Sequence, residues 1–352
     1  MSASAQLAHG LVLLHSVSDV PAAISAENTR SEPLIGCDDT TPPWRQRGVA
    51  RYDSFVTAPF PPPPTKLAGW ALQLKHLRAA QTFIEACDAE RIAVLPVKGI
   101  VSGRTLYDDP ADRPLTDVDM RVLPRDIARI AKLARRRGWP IAQRMRTYAN
   151  MIVSVDGADV DVESHVGPRG MCSLRVATLL ARAGRSHALG FECTWPDFTD
   201  HAVVLIVNAF KDKLVGAFEW AIRDLERIPR QEAYDPALLA RRLRASGVGT
   251  IGWIVADWMV RVRNVAAWSL VRDAIGIEAP RPRYARRFSS TIERDAHTLA
   301  ARVLGRMGSD APSNRASALV WMALWRAEVV LSQLGSAPYR RGHSPPWDVR
   351  GS

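Results

Sequence analysis

Asp117 and Asp119 stand two residues apart in Thr116-Asp-Val-Asp-Met-Arg-Val122, a segment that reads as a strand. Successive strand side chains alternate faces, so both aspartates point one way and Val118 the other. Like charges at neighbouring positions on one face repel. A divalent cation removes that objection: Mg²⁺ takes oxygen ligands and is commonly held by one or two carboxylates together with substrate phosphates. Upstream, the apolar run Ile92–Val97 ends at Lys98-Gly99. A strand ending in a glycine that opens a helix presents backbone N–H groups to a phosphate. A phosphate cradle followed by metal carboxylates suggests a site for a nucleoside triphosphate.

More acid follows. Two β-prone runs, Met151–Val155 and Ala158–His165, flank Asp156-Gly157, a strong hairpin signal. Alternation puts Asp159, Asp161, Glu163 and His165 on one face of the second strand, with Val160 and Val162 on the other. Three acids in a row need a counter-charge, which a cation at Asp117 and Asp119 would supply. Asp159, nearest the turn, reads as solvated. His165 reads as a hydrogen-bonding group that orients a neighbouring carboxylate.

Taken in order, Lys98-Gly99 and then Arg113-Pro-x-x-Asp117-x-Asp119 resemble the uncharacterised bacterial nucleotidyltransferases, a branch of the DNA polymerase β-like superfamily; the resemblance spans about residues 68 to 230. It implies an α+β fold, a small mixed sheet with flanking helices followed by a C-terminal helical domain. It also implies transfer of a nucleoside monophosphate from an NTP to an acceptor (small molecule, protein or tRNA), with pyrophosphate released. Two Mg²⁺ ions about 4 Å apart, or Mn²⁺, would clamp the reacting oxygens. On this resemblance Asp117 and Asp119 hold the metals. The third carboxylate is Glu163, because Glu163-Ser-His165 matches the family's Asp-x-His spacing, with Asp161 the alternative. Main-chain N–H groups at Gly99 and the Ser102 hydroxyl would hold β- and γ-phosphate oxygens, and Lys98 would add charge there. Arg113 either neutralises phosphate or bridges to Asp112 or Asp109. Farther along, Asn208, Lys211 and Asp224 loosely match polar positions of the family's helical wall, and Lys211 or Lys213 would reach the triphosphate. Two features depart from the pattern. Arg121 shares the aspartates' face and can partly replace a metal, as in a pseudoenzyme. Ser102-Gly103 resembles a displaced Gly-Ser turn. A second class therefore stands beside the enzyme: a non-catalytic nucleotide-binding or interaction protein of a biosynthetic or toxin–antitoxin operon.

The elements that position these residues follow from pattern and composition. A chain of 352 residues, 47% hydrophobic and 24% charged, has the make-up of an ordinary globular protein with room for two domains. Its net charge of +11 resembles that of nucleic-acid-binding proteins, but 41 of its 47 basic residues are arginine, a skew that codon bias produces as readily as function. The cluster Arg135–Arg137 with Arg144 and Arg146 reads as a solvated helix end. Cys37, Cys87, Cys172 and Cys193 form no CxxC pair, which argues against structural zinc and suits a reducing cytoplasm. No apolar run approaches a membrane span, and the start of the chain lacks the basic region of a signal peptide. Residues 1–65, ending in Pro61–Pro64, read as disordered; 66–170 as the nucleotidyltransferase core; 171–335 as a helical domain; 336–352 as a disordered tail. Within the core, helices are expected over 69–90 and 125–137, the latter stopped by Gly138-Trp-Pro140. Beyond it they are expected over 173–184, 199–228, 235–246, 249–266, 285–305 and 315–335. The tryptophans Trp253, Trp258, Trp268, Trp321 and Trp325 recur at helical spacing and read as core.

Overall fold

Alternation along five short strands organises the molecule. The computed structural model describes residues 66–333, apart from 146, 148, 213, 215–218 and 296–297. The expectations for 1–65, 336–352, Cys37, Arg146 and Lys213 lie outside the described residues. Strands β1 (Val94–Val97), β2 (Val118–Val122), β3 (Ile141–Met145), β4 (Asn150–Val155) and β5 (Ala158–Glu163) form one sheet in the order β1-β2-β5-β4-β3. β2 runs parallel to β5 and every other pairing is antiparallel. The β4–β5 hairpin closes on Asp156 and Gly157, whose φ values of 49° and 75° are those of a left-handed two-residue turn.

One face of this sheet is wholly apolar. Val118, Met120 and Val122 of β2, Val160 and Val162 of β5, and Met151, Val153 and Val155 of β4 are fully buried together. They lie against Leu77, Ala80, Phe83, Ile84 and Cys87 of α1 (Lys66–Ala89) and Ile130, Leu133 and Ala134 of α3 (Ile127–Arg137). Gly138 ends α3 in the left-handed conformation, as the Gly-Trp-Pro signal implies. The arginines of its last turn are exposed, and Arg136 meets Glu90 at 2.6 Å.

The opposite face carries the acids and meets the helices. α2 (Gly99–Thr105) follows β1 directly. After β5 come α4 (Val176–Arg182), a small hairpin of β6 (Gly184–Ser186) and β7 (Cys193–Trp195), and then helices only. These are α5 (Phe198–Lys211), α6 (Glu219–Arg227), α7 (Pro236–Ala245), α8 (Gly249–Arg261), α9 (Trp268–Ile275), α10 (Pro282–Asp295), α11 (Leu299–Arg306) and α12 (Pro312–Gln333). None of the described helices is long and apolar enough to cross a membrane. α5 is buried along nearly its whole length and forms the axis of a second hydrophobic cluster with α6, α7, α8 and α11. Trp258 and Trp268 belong to it, while Trp321 lies under the Arg169 guanidinium, 4.3 Å from the ring centre. Leu95 and Val97 of β1, with Leu106 and Tyr107, join this cluster too. The segment expected as core thus contributes residues to the helical cluster, and all described residues belong to one compact unit.

Two expected helices are each divided in two, and a third is shortened. The one over 199–228 breaks at Leu214, whose φ is 58° and whose N–H returns to the Ala209 carbonyl at 3.0 Å. The one over 249–266 ends at Arg261, and Asn264 (φ 58°) turns the chain toward α9. The one over 285–305 becomes α10 and α11. Periodicity passes over such breaks because a single left-handed residue hardly disturbs the apolar spacing. The three-residue strands β6 and β7 are too short to show an alternation.

Candidate active site

Sheet register assembles the acids. In the parallel pair, Asp119 lies beside Asp161 and Arg121 beside Glu163; across the antiparallel pair Val97 faces Asp119. Asp117 immediately precedes β2 and accepts a bond from the Thr116 hydroxyl at 3.0 Å. The carboxylates of Asp119, Asp161 and Glu163 thus share one sheet face, with Asp117 at the strand's entrance.

Two protein cations sit among them. The Lys98 ammonium contacts Asp119, and the Arg121 guanidinium contacts Glu163. The second contact is a close ion pair rather than a well-aimed hydrogen bond, since the Arg121 Nη1 that makes it, like the buried Nε, forms no hydrogen bond. Burial acts against the charged form of Lys98, yet Asp119 and then Glu163 hold it above the usual lysine range. Burial also opposes ionisation of Glu163, but Arg121, Lys98 and Lys211 pull its carboxyl down to about 2. Lys211, at the end of α5, is thus within electrostatic reach of the acids. Asp161 behaves in the opposite way: burial, reinforced by the Glu163 charge, pushes its carboxyl well above the normal range. It hydrogen-bonds to Glu163 and leaves its own buried Oδ1 without a partner. Burial likewise raises Asp119, with Lys98 opposing and Asp117 adding to the shift. His165 is kept neutral, pushed down to about 4 by burial and then by Arg169 and Arg121; its Nδ1 lies 2.9 Å from the Ser164 hydroxyl.

The Lys98-Gly99 turn adjoins this cluster. Lys98 adopts φ 56° and ψ −132°, a conformation that costs a side-chain-bearing residue about 1–3 kcal/mol. Gly99 opens α2 where space is scarce, for a Cβ there would meet Leu115 Cδ2 at 3.0 Å and Arg113 Nη2 at 3.3 Å. Ser102 is fully buried one turn into α2, and its hydroxyl has no partner. Arg113 bridges to neither Asp112 nor Asp109. Its Nε donates to Asp224 Oδ1 at 2.9 Å and its Nη2 to Asp224 Oδ2 at 3.1 Å, while Nη1 donates to the Pro114 carbonyl at 2.6 Å. The Tyr107 hydroxyl also donates to Asp224, at 2.9 Å, and Gln73 holds the Arg113 carbonyl at 2.5 Å. Arg113 is thus bound into a brace between the core and α6.

The two candidates for the third carboxylate differ in their surroundings. Glu163, favoured from its spacing to His165, is occupied by Arg121, whereas Asp161 is the register neighbour of Asp119 and has a free buried oxygen. Sequence reading passed over His201, a fully enclosed histidine of α5 whose Nε2 accepts the Lys98 N–H at 3.0 Å. A histidine heading the apolar run Ala202–Val207 was the available signal.

Donor chemistry bears on whether a metal fits. The set is oxygen-only, as Mg²⁺ or Mn²⁺ requires, and Asp161 Oδ1 is a buried acceptor that a cation would satisfy. Among the described residues, no three acidic, histidine or cysteine side chains are gathered closely enough to form a metal site by themselves. Lys98 and Arg121 take up part of the carboxylate charge instead. In kind the residues fit a hard divalent ion; in arrangement they already hold two cations.

A family model described as an uncharacterised nucleotidyltransferase matches residues 71–258, over half of the chain. That span contains every acid and cation described above. No curated protein matches the chain. Among solved structures it is similar to the antibiotic-resistance factor ANT(2'')-Ia, with 10% identity over 64% of this chain and 100% of that one. The TM-score of 0.34 makes this likeness too slight to argue from.

Proposed function

The chain belongs to the uncharacterised nucleotidyltransferase family, and on that premise we propose that it transfers a nucleoside monophosphate from an NTP to an acceptor. The supporting observation is the acidic face itself: Asp119 beside Asp161 in parallel strands, Asp117 at the entrance, and the Lys98-Gly99 turn alongside. In the reaction an acceptor oxygen forms a bond to the α-phosphorus while the bond to the bridging α–β oxygen breaks. The acceptor's proton passes to a carboxylate, and pyrophosphate leaves with the bonding electrons. Asp161 would take that proton, since its buried Oδ1 has no partner and it lies beside Asp119 on the acidic face. Lys98, Lys211 and the hydroxyl of Ser102 would offset and bind the triphosphate. Asp117, Asp119 and Asp161 would hold Mg²⁺, which would supply charge neutralisation and polarisation at the phosphates.

The experiment is a pyrophosphate-release assay with the four NTPs and Mg²⁺ or Mn²⁺, run against panels of small molecules, proteins and total tRNA as acceptors. Asp117→Ala and Asp119→Ala should each reduce release to background while circular dichroism shows the fold intact. Activity retained in either variant removes the assignment. Asp161→Asn should lose more than Glu163→Gln. One observation favours a second reading: Lys98 and Arg121 already neutralise two carboxylates, as in a protein that binds nucleotide without turning it over. Calorimetric NTP binding with no pyrophosphate from any panel would establish that alternative.

A further inference from the structure

His201 has no part in the chemistry above, yet it touches the backbone of the residue that enters it. Its ring is enclosed in α5 and burial holds it neutral, its pKa pushed down to about 3, so Nε2 is free to accept. The donor is the main-chain N–H of Lys98 at 3.0 Å. Lys98 is the residue in the left-handed half of backbone space, φ 56°, where lysine has no intrinsic reason to sit. Its other side is fixed by the tight packing of Gly99 against Leu115 and Arg113. Without an acceptor the Lys98 N–H would be buried and unpaired, and the peptide would relax toward an unstrained conformation. That rotation redirects the Lys98 side chain, whose ammonium now meets Asp119.

We propose that His201 is a positioning residue: by accepting the Lys98 N–H it holds the strained turn, and so fixes the direction from which the Lys98 ammonium meets Asp119 and a bound triphosphate. The inference rests on the reading of this face as an NTP site. It gives the helical half of the chain a hold on the phosphate end of that site, since α5 carries His201 near its start and Lys211 at its end.

Two measurements test it: calorimetric binding of ATP with Mg²⁺, and hydrogen exchange of the Lys98 amide followed by NMR. His201→Ala should lose protection of that amide and weaken ATP binding about tenfold, the factor expected when an ordinary buried hydrogen bond is lost. His201→Asn, which retains a side-chain acceptor, should recover most of both. His201→Ala alone should also speed exchange of the Val101 and Ser102 amides, which donate to the Lys98 carbonyl. Lys98→Gly removes the penalty on a positive φ, so in that background His201→Ala should expose the amide at 98 but barely change those two. A purely structural histidine would lower thermal stability without this dependence on the residue at 98. Unchanged ATP affinity and a still-protected Lys98 amide in His201→Ala overturn the proposal. Should the alanine variant not fold, a through-hydrogen-bond coupling between the Lys98 nitrogen and His201 Nε2 in the unmodified chain decides, and its absence overturns the proposal equally. If the unmodified chain binds no NTP, the enzymatic reading fails while the exchange data still decide the role of His201.

Discussion

The two faces of the five-stranded sheet are built from alternate residues of the same strands, and they are solved in opposite ways. On one, Val118, Met120, Val160 and Val162 vanish into contact with α1 and α3 and leave no polar atom to satisfy. On the other, Asp119, Arg121, Asp161 and Glu163 occupy the intervening positions, with Lys98 reaching in. The first face stabilises in the ordinary way, by removing apolar surface from water. The second places charges where water is scarce and balances them only in part, which fold stability alone would not favour. Adjacent residues of one strand can therefore be assigned opposite purposes, stability and chemistry.

The sharpest way to break this contrast is to move a charge across it. Val162→Asp puts a carboxylate into the apolar face with no partner, at a cost of several kcal/mol, comparable with the whole stability of an ordinary domain. Urea unfolding should find no folded baseline. Second in size is Arg121→Leu, which strands Glu163 and should cost about 3 kcal/mol in the same assay. Arg121→Leu with Glu163→Leu should recover most of that loss, because the pair's value lies in mutual neutralisation. Smallest, and of opposite sign, is Asp161→Asn. Asp161 is raised in the folded chain, so the unfolded state releases its proton first and stability falls as pH rises through about 3.8, the unfolded value. The asparagine variant should therefore gain about 1–2 kcal/mol at pH 7 without added metal. Below about pH 3.8 the gain should vanish; a gain that persists there would assign it to packing rather than charge.

Local signals made much of this legible. The Asp156-Gly157 hairpin and the strand alternation are properties of a few consecutive residues, and the register of β4 and β5 follows from them. The parallel pairing of β2 with β5 is non-local, so Arg121 read as a substitute for metal without its partner Glu163 in view. Arg113 likewise showed its charge but not Asp224, 111 residues away. The left-handed Lys98 was invisible, because nothing in its residue type asks for a positive φ; only the contact with His201, 103 residues on, accounts for it. The shared face of the acids was thus readable from spacing, while the ion pairs and hydrogen bonds around them depended on tertiary pairing.

The brace between Arg113 and Asp224 also sets an order of events during synthesis. Arg113 leaves the ribosome well before the aspartate that neutralises it, and at 5–20 residues per second the 111 residues up to and including Asp224 take about 5–20 s to make. For most of that interval Leu95 and Val97 lack the helical cluster they join, and the Lys98 N–H lacks its histidine. The nascent chain can close its apolar face once β5 is made, but its charged face is finished only when the helices arrive. A ribosome stalled before α5 therefore carries the acids of the site without the support that arranges them.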